Sequence, residues 1–177
     1  MKHVIIRQEN QTDFPLVFNL IKASFENEIH TDHQEQYLVE RLRKSVDFIP
    51  ELSLVAENQG NIVGYILLSK IKILSQINNP KGSLALAPVA VLPQYQNQGI
   101  GGRLIATAHE KAKNLGFDSV IVLGHESFYP KFGYVTAENF NIKSPFDVPS
   151  KNFMAIELVH ESLKSVEGIV EYPKEFS

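Results

Sequence analysis

Residues 96 to 103, Gln-Asn-Gln-Gly-Ile-Gly-Gly-Arg, carry the densest chemical signal in the chain. Gly99, Gly101 and Gly102 lie between an apolar run ending at Val91-Leu92-Pro93 and a long helical pattern. The first N–H groups of a helix have no partner inside it and carry the positive end of its dipole. Glycines at such a point let a bulky anion approach the backbone, which makes the junction a phosphate or pyrophosphate site. The N–H groups around Gln98 to Arg103 are the candidate donors. A plain glycine-rich turn ahead of a helix is the competing interpretation. A Walker loop needs Gly-Lys-Ser/Thr at its end, and here Arg103-Leu104 follows Gly102. A dinucleotide fingerprint needs a third glycine where Leu104 stands, and no second βαβ half follows.

The elements that hold this junction follow from the hydrophobic period. Val4-Ile5-Ile6 reads as a short strand. Thr12 and Asp13 offer a helix N-cap, with Pro15 in the first turn. Phe14, Val17, Phe18, Ile21 and Phe25 recur at helical spacing. A second helix is expected over 34–44, with Tyr37, Leu38 and Leu42 facing inward. Strands over 52–56 and 62–74 form an antiparallel hairpin around the turn at 58–61. The next strand spans 83–91. Pro88 inside it implies a bulge or an unpaired position, because proline cannot donate to a ladder. A helix over 99–115 buries Ile100, Leu104, Ala108, Ala112 and Leu115 and stops at Gly116. A strand over 119–123 follows, and a strand–helix–strand crossover makes it parallel to 83–91. A short helical turn ends at Gly133 and feeds another strand. Segment 141–151 reads as irregular, 153–158 as a strand and 168–172 as an edge strand.

Composition bounds the function. A chain of 177 residues with 44% hydrophobic and 21% charged residues fits one soluble globular domain spanning 1–177. The net charge of −3 offers no basic footprint for nucleic acid. With no cysteine, disulfides, thiolate metal sites and a cysteine nucleophile are excluded. His30-Thr31-Asp32-His33 lacks the spacing of a zinc site and reads as a polar loop and helix cap, so no metal is assigned. The apolar stretch in MKHVIIRQEN is too short for a signal peptide, and no run approaches the ~20 apolar residues of a membrane helix. A cytoplasmic protein without membrane attachment is the expectation.

Two separated stretches now agree on a family. Gln96-Asn97-Gln98-Gly99-Ile100-Gly101 matches the pattern Q/R-x-x-G-x-G/A and resembles the acetyl-CoA loop of the GNAT superfamily of N-acetyltransferases. Phe128-Tyr129-Pro130-Lys131-Phe132-Gly133-Tyr134 resembles their later aromatic motif. Val122-Leu123-Gly124-His125, together with Phe146-Asp147-Val148-Pro149, looks most like the bacterial YhbS-like branch. The resemblance covers essentially the whole chain. It implies an α/β (α+β) fold with a mixed, mostly antiparallel sheet, a central parallel strand pair and flanking helices. It implies acetyl-CoA as co-substrate and a small-molecule or protein amine as acceptor. Val89, Ala90 and Val91 would meet the pantetheine arm where the parallel strands splay, with the Val91 N–H as oxyanion donor. Gln96, Asn97, Gln98, Gly99, Ile100, Gly101, Gly102 and Arg103 would hold the pyrophosphate, and the Arg103 side chain either adds charge there or is simply solvated.

By the same resemblance Tyr129 is the acid that protonates the leaving thiolate, since a phenol of pKa ~10 keeps its proton at neutral pH. The base stays open among His125, Glu126, Glu26, Glu28, His30 and ordered water. The sequence departs from many GNAT enzymes in having no Asn in the connection Gly124-His125-Glu126-Ser127. That puts side-chain help to the pantetheine from this side in doubt, although Ser127 could substitute. An acyl-CoA-binding sensor without catalysis is the alternative function. The tail strand near Ile169 could pair within the chain or make a homodimer.

Overall fold

The apolar runs of the sequence become strands of one mixed sheet in the computed structural model, which describes residues 4–177. Met1, Lys2 and His3, which open the stretch too short for a signal peptide, lie outside them. Strand β1 (Val4–Gln8) leads through a 3-10 turn into helix α1 (Phe14–Phe25), and α2 (Glu35–Leu42) follows. Strands β2 (Ser53–Asn58), β3 (Asn61–Leu74) and β4 (Lys81–Val91) form an antiparallel meander. Helix α3 (Ile100–Asn114) crosses over to β5 (Ser119–Leu123). Four short strands close the chain: β6 (Val135–Thr136), β7 (Ile142–Lys143), β8 (Phe153–Glu157) and β9 (Gly168–Glu171). The order across the sheet is β1-β2-β3-β4-β5-β8-β6, and β9 joins β3 to β7.

The long run in β3 is buried because both sheet faces are covered. Ile62, Tyr65 and Leu67 meet α1 and α2 on one face. Val63, Ile66 and Leu68 meet α3 on the other. Gly64 lets α3 come close, since a Cβ there would lie 3.0 Å from Leu104 Cδ1 and 3.2 Å from Ile100 Cγ2. That contact seats the N-terminus of α3 against the middle of the sheet.

β4 and β5 run parallel, but they pair only at Leu84↔Val120 and Ala85↔Ile121. Beyond Ala85 the two strands part, and residues 86–91 keep only β3 as a strand partner. The parting begins at a bulge where Ala87 and Pro88 lie opposite Leu67. A proline has no N–H to contribute to a ladder, so the missing pairing costs nothing at that position.

Several expected details differ. Asp13 stands at the N-cap position of α1 without a side-chain cap bond there, and the capping box lies one turn earlier, where the Asn10 side chain accepts from the Thr12 N–H while the Asp13 carboxylate accepts from the Asn10 N–H. α2 buries Gln36, Val39 and Leu42 and leaves Tyr37 exposed. Gln36 can be buried because its amide donates to the His33 carbonyl at 2.9 Å. In α3, Ile105 joins the buried stripe and Leu115 stays exposed. Segment 141–151 contains β7, and β9 is flanked by β3 and β7 instead of lying at an edge. Gly168 permits that approach, since a Cβ there would sit 2.1 Å from the Leu74 carbonyl oxygen. Among the described residues no helix is long and apolar enough to cross a membrane.

Candidate active site

The glycine-rich stretch 96–103 sits where the sheet opens. Val91 ends β4 opposite Gly64 of β3, and Pro93–Tyr95 makes a single 3-10 turn. Asn97 (φ +57°) and Gly99 (φ +80°) take the left-handed conformation that reverses the chain into α3. The loop is braced by its own amides: Gln96 Nε2 donates to the Val91 carbonyl at 3.0 Å, and Gln98 Nε2 to the Gln94 carbonyl at 3.1 Å. Arg103 N–H makes the first intrahelical bond, to the Gly99 carbonyl at 3.1 Å. The N–H groups of residues 98–102 meet no acceptor among the described residues. The orphan donors expected at 98–103 thus narrow to 98–102. The Arg103 side chain turns away from them, with Nη2 donating to the Val4 carbonyl at 2.8 Å.

Two glycines of this stretch also seat the aromatic motif. A Cβ on Gly101 would rest 3.7 Å from Phe128 Cζ and 3.8 Å from Val91 Cγ2, which is ordinary contact. A Cβ on Gly102 would press on Phe132 at 3.0 Å. Phe128 and Phe132 pack edge to face at 5.1 Å, so the turn Tyr129–Phe132 is fastened to the start of α3. Gly133 (φ +96°) ends that turn.

Tyr129 is buried through its ring. Phe128 stands edge-on to it at 5.1 Å and Tyr134 at 5.6 Å. Its third wall is Gly124, where a Cβ would lie 2.3 Å from Tyr129 Cε2. The Tyr129 hydroxyl has no hydrogen-bond partner among the described residues, and the oxygen is not sealed from solvent. Burial pushes its pKa above the ordinary phenol value, so it holds its proton throughout the neutral range.

Sequence reasoning missed three supports of this phenol. Asn152 fixes Gly124 twice: its carbonyl accepts from the Gly124 N–H at 2.9 Å, and its Nδ2 donates to the Gly124 carbonyl at 3.0 Å. Tyr134 and His109 share a hydrogen bond at 2.8 Å. Tyr134 lay within the aromatic motif, but Asn152 and His109 carried no local signal.

Of the candidate bases, the structure brings two together. His125 Nε2 lies 3.5 Å from Glu28 Oε2, which joins the loop after α1 to the loop after β5. Glu126 pairs instead with Lys151 at 2.9 Å. Glu26 and His30 are exposed and join neither pair. Cavities of about 320 Å³ on α2 and about 240 Å³ beside Lys70 and Tyr172 lie elsewhere and include none of these residues.

Residues 50–136 match the model of the acetyltransferase (GNAT) domain. The chain is also 28% identical over 175 residues to YhbS of Escherichia coli (strain K12), an uncharacterized N-acetyltransferase, covering 98% of this chain and 99% of that one. The chain belongs to the GNAT acetyltransferases. YjhQ, another uncharacterized N-acetyltransferase of E. coli (strain K12), is 36% identical over 120 residues, 67% of this chain and 66% of its own. The crystal structure of E. coli YhbS in complex with CoA superposes with a TM-score of 0.87 at 27% identity, over 98% of this chain and 92% of that one. A GNAT family acetyltransferase from Brucella melitensis in complex with acetyl-CoA gives 0.81 at 27% identity, over the whole of both chains. The mixed, mostly antiparallel sheet with its central parallel pair β4–β5 is thus the GNAT fold.

Proposed function

We propose that this GNAT enzyme moves the acetyl group of acetyl-CoA to a primary amine by direct attack on the thioester. The observation that carries it is the row of unpartnered N–H groups at 98–102, beside the opening between β4 and β5. It fits a pyrophosphate: the donors lie at a helix N-terminus, and Gly99, Gly101 and Gly102 add no side chain to the approach. Residues 89–91 line the opening for the pantetheine arm. The YhbS and Brucella structures in complex with CoA and acetyl-CoA support the same ligand here.

In the reaction the amine nitrogen bonds to the thioester carbon, and the C–S bond of the tetrahedral intermediate then breaks. The departing sulfur takes the Tyr129 proton, while the attacking nitrogen loses one toward the Glu28–His125 side or to water. Tyr129 suits the first role because its phenol is neutral and hydrogen-bonded to no other described residue. The acceptor is a small-molecule or protein amine.

Calorimetric titration with acetyl-CoA tests the cofactor, with Gly101→Glu as the control. A Cβ at residue 101 meets only ordinary contacts, so the variant is expected to fold, and its carboxylate adds like charge beside the 98–102 donors. Native binding and a loss of at least about 100-fold in the variant are expected, since several charge-assisted bonds are lost. No binding by folded native protein would reduce 96–103 to a structural turn. Binding with no transfer to any amine would mark a sensor instead.

A further inference from the structure

We infer that His109 and Tyr134 form a positioning pair that holds the Tyr129 phenol at its working place, which rests on the proposed role of Tyr129 as the acid.

Three walls surround the Tyr129 ring: Gly124, Phe128 and Tyr134. Edge-to-face contacts between rings are weak and tolerate sliding. Of the two aromatic walls, only Tyr134 carries a polar anchor. Its ring is 1% exposed, and its hydroxyl is tied at 2.8 Å to His109 on the third turn of α3. Burial depresses the His109 pKa to about 4, so its ring is neutral and the bond survives across the working range. A neutral imidazole either accepts from the Tyr134 O–H or donates its own Nε2–H, and both tautomers hold the ring in one place.

The consequence is geometric. Helix α3 presents the 98–102 donors at one end and grips Tyr134 further along. One rigid element thereby sets the distance between the phosphate anchor and the acid. Proton transfer to a leaving group fails steeply with misplacement, so a bond remote from the reacting atoms can govern turnover. Tyr134 also commits its hydroxyl to His109, which leaves the Tyr129 hydroxyl without an internal competitor.

The test uses the full-length protein, steady-state acetyl transfer to an amine that it accepts, and calorimetric acetyl-CoA affinity. The variants are Tyr134→Phe, His109→Leu, their double variant, and His109→Gln, whose amide can still bond the phenol. Tyr134→Phe keeps the ring and its packing, so it folds even where His109→Leu does not. Tyr134→Phe and His109→Leu are expected to lower kcat roughly 5- to 10-fold, with acetyl-CoA affinity unchanged. The double variant should be no slower than either single one, and His109→Gln should recover most of the loss. Wild-type kcat in Tyr134→Phe, or equal losses of kcat and acetyl-CoA affinity, would overturn the inference. Tyr129→Phe, measured alongside, separates the two claims. Full turnover there removes the acid role itself, whereas lost turnover there with an intact Tyr134→Phe removes only the positioning pair.

Discussion

A methyl group on residue 124 would have nowhere to go, because its carbon would sit 2.3 Å from Tyr129 Cε2. Gly124 cannot yield by sliding, since Asn152 holds both its N–H and its carbonyl. Gly124→Ala should therefore displace the phenol. We expect kcat to fall at least about tenfold, on the way to the ~10²-fold or more lost in Tyr129→Phe, with acetyl-CoA affinity intact. Kinetics paired with calorimetry decide this; an active Gly124→Ala enzyme would show that the phenol position is not critical. The same scale settles Arg103. Its guanidinium binds the Val4 carbonyl, so Arg103→Ala should leave acetyl-CoA affinity within about threefold. A loss of tenfold or more would place that charge on the phosphates after all. The sequence could not distinguish these two destinations, because the partner of Arg103 lies 99 residues away.

Elements were legible where their signal is local. The run of β-branched residues in β3, the glycine junction before α3 and the strand–helix–strand crossover each depend on neighbours in the chain. The Gln96–Gly101 hexad could be read for that reason. What escaped notice depends on long-range partners: the place of β9 and the His109–Tyr134 bond across 25 residues. A further hidden contact joins β1 to α2. Glu9, just past β1, receives Arg43 Nε and Nη2 at 3.1 and 2.7 Å, with side chains 3% and 8% exposed. Ser53 donates to the same carboxylate, and the Ser53 and Tyr65 hydroxyls share a bond at 2.7 Å. Arg43 also caps the Phe14 ring at 3.9 Å. Removing one partner leaves an uncompensated buried charge, so Arg43→Met is expected to cost about 3–5 kcal/mol of unfolding free energy. Urea unfolding measures this. A loss below about 1 kcal/mol would mean that the pair is solvated in practice and contributes as a surface pair does.

At the scale of the molecule, α3 is the member through which the parts communicate. It packs on β2, β3 and β4 through Leu104, Ile105 and Ala108, carries the unpartnered N–H groups at its start and binds Tyr134 through His109. The same burial that keeps His109 neutral makes the whole fold sensitive to acid. In the unfolded chain this imidazole takes a proton at its ordinary value of 6.5, and in the folded protein only at about 4. Above pH 6.5 both states are neutral there, and His109 contributes no pH dependence. Between 6.5 and 4 the unfolded state holds the extra proton, so stability falls as pH falls. The accumulated loss is on the order of 2–3 kcal/mol, with a limiting slope of about 1.4 kcal/mol per pH unit. Other groups act elsewhere or in the opposite sense. Arg7 holds the Asp13 carboxyl below its ordinary 3.8, so its contribution is lost only under stronger acid. Burial raises Glu35 above its ordinary 4.5, so its ionisation weakens the fold as pH rises. Comparing wild type with His109→Gln isolates the imidazole from both. Urea midpoints at pH 7, 6, 5 and 4.5 should fall more steeply for wild type than for His109→Gln, at equal m-values. Parallel curves would mean that His109 is hydrated enough to take its proton in the folded protein, and the acid sensitivity of the fold would then lie in other groups.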